Sequence, residues 1–100
     1  MPPSEGPKLE AFARHQFPEY FARCKEYLRH KNIMISPQVL LQHIPDLKIH
    51  KIIHHPGEFV ITLGGSYHAG FNWGFNVAEA VNFATPAWLD IFPAAKVNFE

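Results

Sequence analysis

Two groups of side chains in this sequence are of types that bind metal ions. One is His68, the single histidine in the stretch FVITLGGSYHAGFNWGFNVAEAVNF at 59–83. The other is Cys24 with His30, in the spacing C-x5-H. Imidazole and thiolate bind zinc, iron and related ions, but such sites need several ligands in a fixed geometry. By residue type alone, we interpret His68 as a core histidine with a backbone hydrogen bond.

A third group, HKIIHH at 50–55, has the composition of a metal cluster. In this stretch, however, His50 and His54 alternate with apolar residues in the period of a β-strand. Alternate side chains of a strand point to opposite faces, so we expect both imidazoles on the solvent-exposed face. We therefore interpret them as solvated residues.

The elements that must position these side chains change in character along the chain. The first part has helical spacing of apolar residues and proline-led helix starts, as in SPQVLLQH, where Ser36 is the expected N-cap. The predicted helical stretches are 4–17, 18–28 and 36–43. The second helix would place Phe21, Cys24 and Leu28 on one apolar stripe.

After Pro45 the apolar period becomes that of strands, separated by turns at HPGE and at a glycine pair. The predicted strands are 46–55, 59–63, 66–70 and 75–84, followed by a helix over 85–92. We thus expect an α+β chain, with a helical segment over 1–45 and strands of a β-sandwich or barrel over 46–84.

The composition limits the class of protein. The chain has 100 residues, zero formal net charge and 47% hydrophobic residues, so we expect one small globular domain. Nothing in it resembles a basic surface for nucleic acid, a secretory leader or a membrane span. The single cysteine, Cys24, permits no internal disulfide, and a reducing intracellular compartment fits best.

The stretch around His68 resembles the second half of a Jumonji C (JmjC) domain, in the branch that demethylates lysines of histone H3. Upstream, LRHKNIMISPQVL at 28–40 resembles the segment that precedes the strands in that branch. The residues that carry the resemblance are Gly57, Glu58, Phe59, Tyr67, His68, Gly70, Phe71, Asn72, Gly74, Asn76, Ala78, Glu79, Asn82 and Phe83.

This resemblance implies a cupin-like double-stranded β-helix jelly roll that binds Fe(II) and 2-oxoglutarate. It also implies a nuclear protein that acts on the histone H3 tail. In the family, two histidines and a carboxylate hold the iron, and His68 matches the later histidine. The earlier ligands come as H-x-D or H-x-E, and none of the seven histidines is followed by a carboxylate at that spacing.

The family's lysine for 2-oxoglutarate also lies upstream of the matching segment. We therefore expect the chain to be the C-terminal part of a JmjC domain, separated from its N-terminal half and inactive alone. The alternative is a non-catalytic interaction module that pairs through exposed sheet edges. Neither interpretation includes a DNA-binding or membrane-binding surface.

Four further residues match site positions of the family. Lys31 matches a lysine near the iron pocket, and a solvated lysine is the alternative. Ala80, Val81 and Asn82 match the methyl-lysine pocket, although ordinary strand residues are the favoured interpretation here.

Cys24 and His30 match half of a structural zinc site in the same branch. The other half would fall on Asn98 and Glu100, where neither residue is cysteine. Because zinc takes four ligands, we favour an inert, buried Cys24 over a zinc site.

Overall fold

The computed structural model of the chain describes residues 1–90 and 93, and the positions 91–92 and 94–100 lie outside the described residues. The helices are α1 (Gly6–Gln16), α2 (Pro18–Arg23) and α3 (Pro37–His43). Short 3-10 turns are formed by Pro3–Glu5, Tyr27–His30 and Pro86–Asp90. The predicted helix over 85–92 is thus a 3-10 turn in its described part.

Prolines determine where the helices begin and end. Each α-helix has a proline at its first or second position, where the missing N–H costs no intrahelical hydrogen bond. α1 ends before Pro18 and α3 ends before Pro45, because a residue that precedes proline is disfavoured in the helical region. Ser36 is the N-cap residue of α3, as predicted, but its side chain makes no capping hydrogen bond.

The second predicted helix is wrong in its extent. α2 ends at Arg23, and Cys24 has extended backbone with φ −151° and ψ 123°. Cys24 and Leu28 therefore do not continue the helical face of Phe21. The helix is only six residues long, and a helix this short has little stability of its own.

A small apolar core joins the helices to the start of the following segment. Leu9 of α1, Leu40 of α3 and Leu47 are buried against one another. The half-buried side chains that pack around them are Met1, Phe12, Ile35, Ile44, Ile49 and Tyr67. The alternation predicted for 46–55 therefore holds for Leu47 and Ile49, whereas Ile53 is exposed.

A cluster of polar contacts joins the start of α1 to the segment around Leu47. Glu5 is buried and accepts a hydrogen bond from the backbone N–H of Lys48 at 3.0 Å. The ammonium of Lys8 lies 3.3 Å from the Glu5 carboxylate and donates to Asp46 at 2.8 Å. The hydrogen bond from Lys48, and to a smaller extent Lys8, lowers the pKa of Glu5, against the opposing effect of burial.

This cluster predicts a loss of stability in acid. Because the pKa of Glu5 is lower in the folded state, its contribution is complete above its ordinary value of 4.5 and disappears as pH falls through the lowered pKa. We expect Glu5→Gln to flatten the acid limb of a plot of melting temperature against pH. The matched control is Glu79→Gln, because Glu79 is exposed, and its plot should have the same slope on the acid limb as that of the parent.

In the described residues, no strand is formed over 46–84. Over 59–84 the described residues form a turn at Gly64 and Gly65 but no ladder of backbone-to-backbone hydrogen bonds. A strand is defined by its ladder of hydrogen bonds to a neighbour, so the period-2 pattern cannot form a sheet without a partner. The jelly-roll architecture stays a prediction for this chain.

The chain exposes much apolar surface in its second half. The chain exposes 8984 Å², whereas a compact monomer of 11.4 kDa exposes about 5,800 Å². Most of the large exposed apolar side chains lie in one stretch, 52–83, which we call the apolar segment. No helix in the described part of the chain is long and apolar enough to cross a membrane.

Candidate functional site around His68

His68 is exposed and its ring is oriented by a local hydrogen bond. The Nδ1 atom lies 3.1 Å from the carbonyl oxygen of Ser66. A carbonyl oxygen only accepts, so Nδ1 donates this hydrogen bond, and in the neutral ring Nε2 then keeps its lone pair. Histidines that bind metals commonly use one nitrogen in this way and coordinate with the other. The ring of His68 is therefore in the form that a metal ligand requires.

Tyr67, the preceding residue, connects this position to the N-terminal helices. Its hydroxyl donates to Oε1 of Glu10 in α1 at 2.9 Å. Its carbonyl oxygen accepts a hydrogen bond from the N-terminal ammonium of Met1 at 3.2 Å. Burial, followed by the hydrogen bond to Glu10, raises the pKa of Tyr67. The segment that carries His68 is thus attached to α1.

The sequence analysis did not identify Glu10 as part of this arrangement. Glu10 lies on α1, three residues before Ala13. The hydrogen bond spans 57 positions of the chain, and no local pattern encodes it. The resemblance of Tyr67 to the family's tyrosine-histidine pair was the one available signal.

The described residues alone do not fit an iron site. No group of three or more histidine, cysteine, aspartate or glutamate side chains in the described part of the chain is placed to hold a metal ion. His68 supplies one imidazole, whereas the facial triad of this chemistry needs two histidines and a carboxylate. No reaction step through iron is therefore derived from these residues.

The other site residues predicted around the iron pocket, Lys31 and 80–82, are exposed. Val81 is 84% exposed, and its neighbours Ala80 and Asn82 are exposed as well. In residues 1–90 and 93, no hydrogen bond or ion pair joins His68 to Lys31 or to 80–82. The candidate substrate residues thus lie on the apolar segment, and their role with the histidine stays a prediction.

Lys31 has left-handed backbone, with φ 61° and ψ 22°, where it ends the 3-10 turn Tyr27–His30. This region is unfavourable for a side chain with a Cβ atom and favourable for glycine. The backbone of Lys31 is therefore in a strained conformation. Such strain is often found at functional positions.

A substitution tests this strain. We expect Lys31→Gly to raise the free energy of unfolding by about 0.5–1 kcal/mol, because the left-handed penalty exceeds the added entropy of the unfolded chain. Urea denaturation followed by circular dichroism measures the change. Lys31→Ala keeps the Cβ atom and should show no gain, and an equal gain in both variants would contradict the explanation.

Cys24 and His30 are brought together by the structure. Both line a cavity of about 180 Å³, together with Tyr20, Arg23, Tyr27 and Asn32. Two donors do not complete the tetrahedral set of zinc. Asn98 and Glu100, the other two matching positions, lie outside the described residues. Cys24 is half-buried, so its expected burial is wrong, whereas zinc binding and an inert thiol both stay predictions.

Tyr27 separates this cavity from a second one and is buried, with 4% of its surface exposed. Its hydroxyl has no hydrogen-bond partner in the described residues. The ring packs near Tyr20 and Phe21, at centroid distances of 6.3 and 6.5 Å. Burial raises the pKa of Tyr27, and the charge of Arg14 opposes this effect.

A buried hydroxyl without a hydrogen-bond partner destabilises the folded state, so its removal should increase stability. We expect Tyr27→Phe to raise the free energy of unfolding by about 1 kcal/mol. Tyr20→Phe is the matched control, since Tyr20 is 44% exposed and its hydroxyl reaches water. Thermal denaturation of the three proteins measures both effects. Destabilisation by Tyr27→Phe would show that the hydroxyl has a partner in solution.

Comparison with known proteins identifies the family. The family model described as "JmjC domain, hydroxylase" matches residues 1–83. The chain belongs to the JmjC family. This confirms the resemblance deduced from the residues around His68. No solved structure is significantly similar to the chain.

The similar curated proteins are lysine demethylases. Human probable lysine-specific demethylase 4F and rat lysine-specific demethylase 4D are each 47% identical over 90 residues. Mouse lysine-specific demethylase 4B is 44% identical over 90 residues. These matches cover 90% of this chain but only 14%, 17% and 8% of the three relatives, respectively. The JmjC chain thus spans less than a fifth of each relative.

Proposed function

We propose that this chain is the part of a JmjC histone lysine demethylase domain that supplies the late iron ligand. The family match over 1–83 supports the class of protein. The observation that carries the assignment of His68 is its ring geometry, with Nδ1 donating to Ser66 and Nε2 free. In this proposal the complete domain uses Fe(II) and 2-oxoglutarate to oxidise N-methyl groups of histone H3 in the nucleus.

The same proposal assigns roles to the remaining site residues. Ala80, Val81 and Asn82 form one wall of the methyl-lysine pocket, where their small or short side chains leave room for a methylated ammonium. Lys31 lies near the iron pocket once the domain is complete. The exposure of all three pocket residues agrees with a wall whose opposite side is contributed by other residues.

The chain alone is proposed to be catalytically incomplete, because its described residues supply one ligand of three. An anaerobic Fe(II) titration with 2-oxoglutarate should give no tight complex, and aerobic incubation should give no 2-oxoglutarate turnover. Tight binding or turnover would contradict this part of the proposal.

A chimera tests the role of His68 directly. Residues 1–90 of this chain replace the matching segment of rat lysine-specific demethylase 4D, and demethylation of methylated histone H3 peptides is measured. We expect a folded, active chimera, and its His68→Ala variant should fall to background. His50→Ala is the matched control and should retain activity. A folded chimera without activity, or an active His68→Ala variant, would overturn the assignment.

A second function is supported by the exposed apolar segment. Many large apolar side chains are exposed in this segment, and exposed apolar surface is typical of sites that contact another protein. We propose, as the alternative, a non-catalytic interaction module that pairs along residues 59–83. Its test is the oligomeric state of the pure chain.

A further inference from the structure

Tyr67 is held by the N-terminal part of the chain at three points. Its hydroxyl donates to Glu10 at 2.9 Å, and its carbonyl oxygen accepts from the ammonium of Met1 at 3.2 Å. Its ring lies against α1, since a Cβ atom at Gly6 would meet Cε2 of Tyr67 at 3.5 Å. The two hydrogen bonds connect positions 57 and 66 residues apart.

The segment next to Tyr67 depends on these contacts. Ser66 and His68 flank Tyr67, and the hydrogen bond between them closes a loop centred on it. Apart from a turn at Gly64 and Gly65, no ladder of backbone hydrogen bonds among the described residues holds 59–84 in place. The contacts of Tyr67 with α1 and Met1 are therefore the ones that can fix the backbone around His68.

We propose that Glu10 is a positioning residue for His68. By accepting the hydrogen bond of Tyr67, Glu10 holds the Ser66–His68 loop in one conformation. In that conformation Nδ1 of His68 is protonated and Nε2 is free. The use of this arrangement for metal binding rests on the proposed function, but the positioning itself is independent of any metal.

The geometry distinguishes Glu10 from the other polar residues of α1. Lys8 also joins α1 to the later chain, but it does so through Asp46, away from Tyr67. Glu10 is the residue of α1 whose side chain reaches the hydroxyl next to His68. Loss of the Lys8–Asp46 contact should therefore weaken the fold without changing the tautomer of His68.

The experiment records side-chain ¹H–¹⁵N spectra of the histidines at pH 8, where nitrogen shifts report which ring nitrogen carries the proton. In the parent chain we expect His68 to show a single Nδ1–H form. Glu10→Ala and Tyr67→Phe should give averaged shifts, because the released loop lets both tautomers exchange. Glu10→Gln keeps an acceptor oxygen and should restore the parent spectrum.

Asp46→Asn is the matched control for a general loss of stability. It should lower the melting temperature yet leave the nitrogen shifts of His68 unchanged. The proposal is overturned if Tyr67→Phe leaves these shifts unchanged, if Asp46→Asn averages them equally, or if the parent shows no single form. Tyr67→Phe retains the packed ring, so its circular dichroism should match that of the parent.

The result of the tautomer experiment can be distinguished from that of the chimera experiment, which tests the proposed function. An inactive chimera would remove the metal role of His68 but would not alter its tautomer in the isolated chain. Conversely, an active chimera with a freely exchanging His68 would keep the ligand assignment and reject Glu10 as its positioning residue.

Discussion

Replacing Leu40 with alanine is expected to unfold most of the helical part of the chain, whereas the same change at Leu41 is expected to leave it folded. Leu40 is 5% exposed and contacts Leu9 and Leu47 in the only buried apolar cluster of the described residues. Truncating such a leucine costs about 2–5 kcal/mol. A core this small provides only a small free energy of unfolding. The cost of truncating Leu40 is comparable with that whole free energy.

Leu41 provides a close control, because it is the next residue of the same helix and is 42% exposed. Its replacement should change the free energy of unfolding by about 0.5 kcal/mol or less. Far-UV circular dichroism during urea denaturation measures both variants. Equal effects would mean that the cluster around Leu40 does not hold the helices together in solution.

The helices illustrate what could be predicted from the sequence. Proline has a fixed φ and lacks an N–H group, so its effect on a helix is local and appears directly in the sequence. The starts at Pro18 and Pro37 followed from this property. The extent of α2 did not follow, because apolar spacing cannot show that the chain turns at Cys24 to bring it beside His30.

The predicted strands, unlike the helix starts, could not be confirmed from local sequence. The alternation over 46–55 and 59–63 is a property of single residues, but a strand forms only against a neighbour. Where α1 and α3 supply a surface, Leu47 and Ile49 are covered as the pattern predicts. Beyond them the pattern has no partner, and Phe59 is 97% exposed.

The sequence allowed us to predict which residues belong to the candidate site. It did not allow us to predict how these residues are arranged in space. The tyrosine-histidine pair identified the family, and the family model confirms it over 1–83. The distance of His68 from Lys31 and from 80–82 depends on strand pairing, which no local signal contains. The contact of Tyr67 with Glu10 likewise arises from packing between distant parts of the chain.

The second large effect concerns association through the apolar segment. Between Phe59 and Phe83 the sequence has no lysine or arginine and one carboxylate, Glu79. Natural sheet edges are usually protected by charges or prolines, and here the side chains of Trp73 and Phe75 are almost completely exposed. Zero net charge adds no long-range repulsion between copies. We therefore expect the pure chain to self-associate, with a mass that rises with concentration in light scattering after size exclusion.

Introducing one charge should reverse this behaviour. Ile61→Lys places an ammonium on an exposed strand-like position, where pairing would bury it, so we expect the mass to return towards that of a monomer. Val39→Lys is the matched control, because Val39 is 40% exposed on α3 and lies outside the apolar segment. It should associate like the parent. Association should also raise the β-sheet signal in the infrared amide I band, since paired strands need the ladder that residues 46–84 lack in the single chain. A parent chain that stays monomeric at high concentration would contradict both the interaction module and the exposed apolar surface on which it rests.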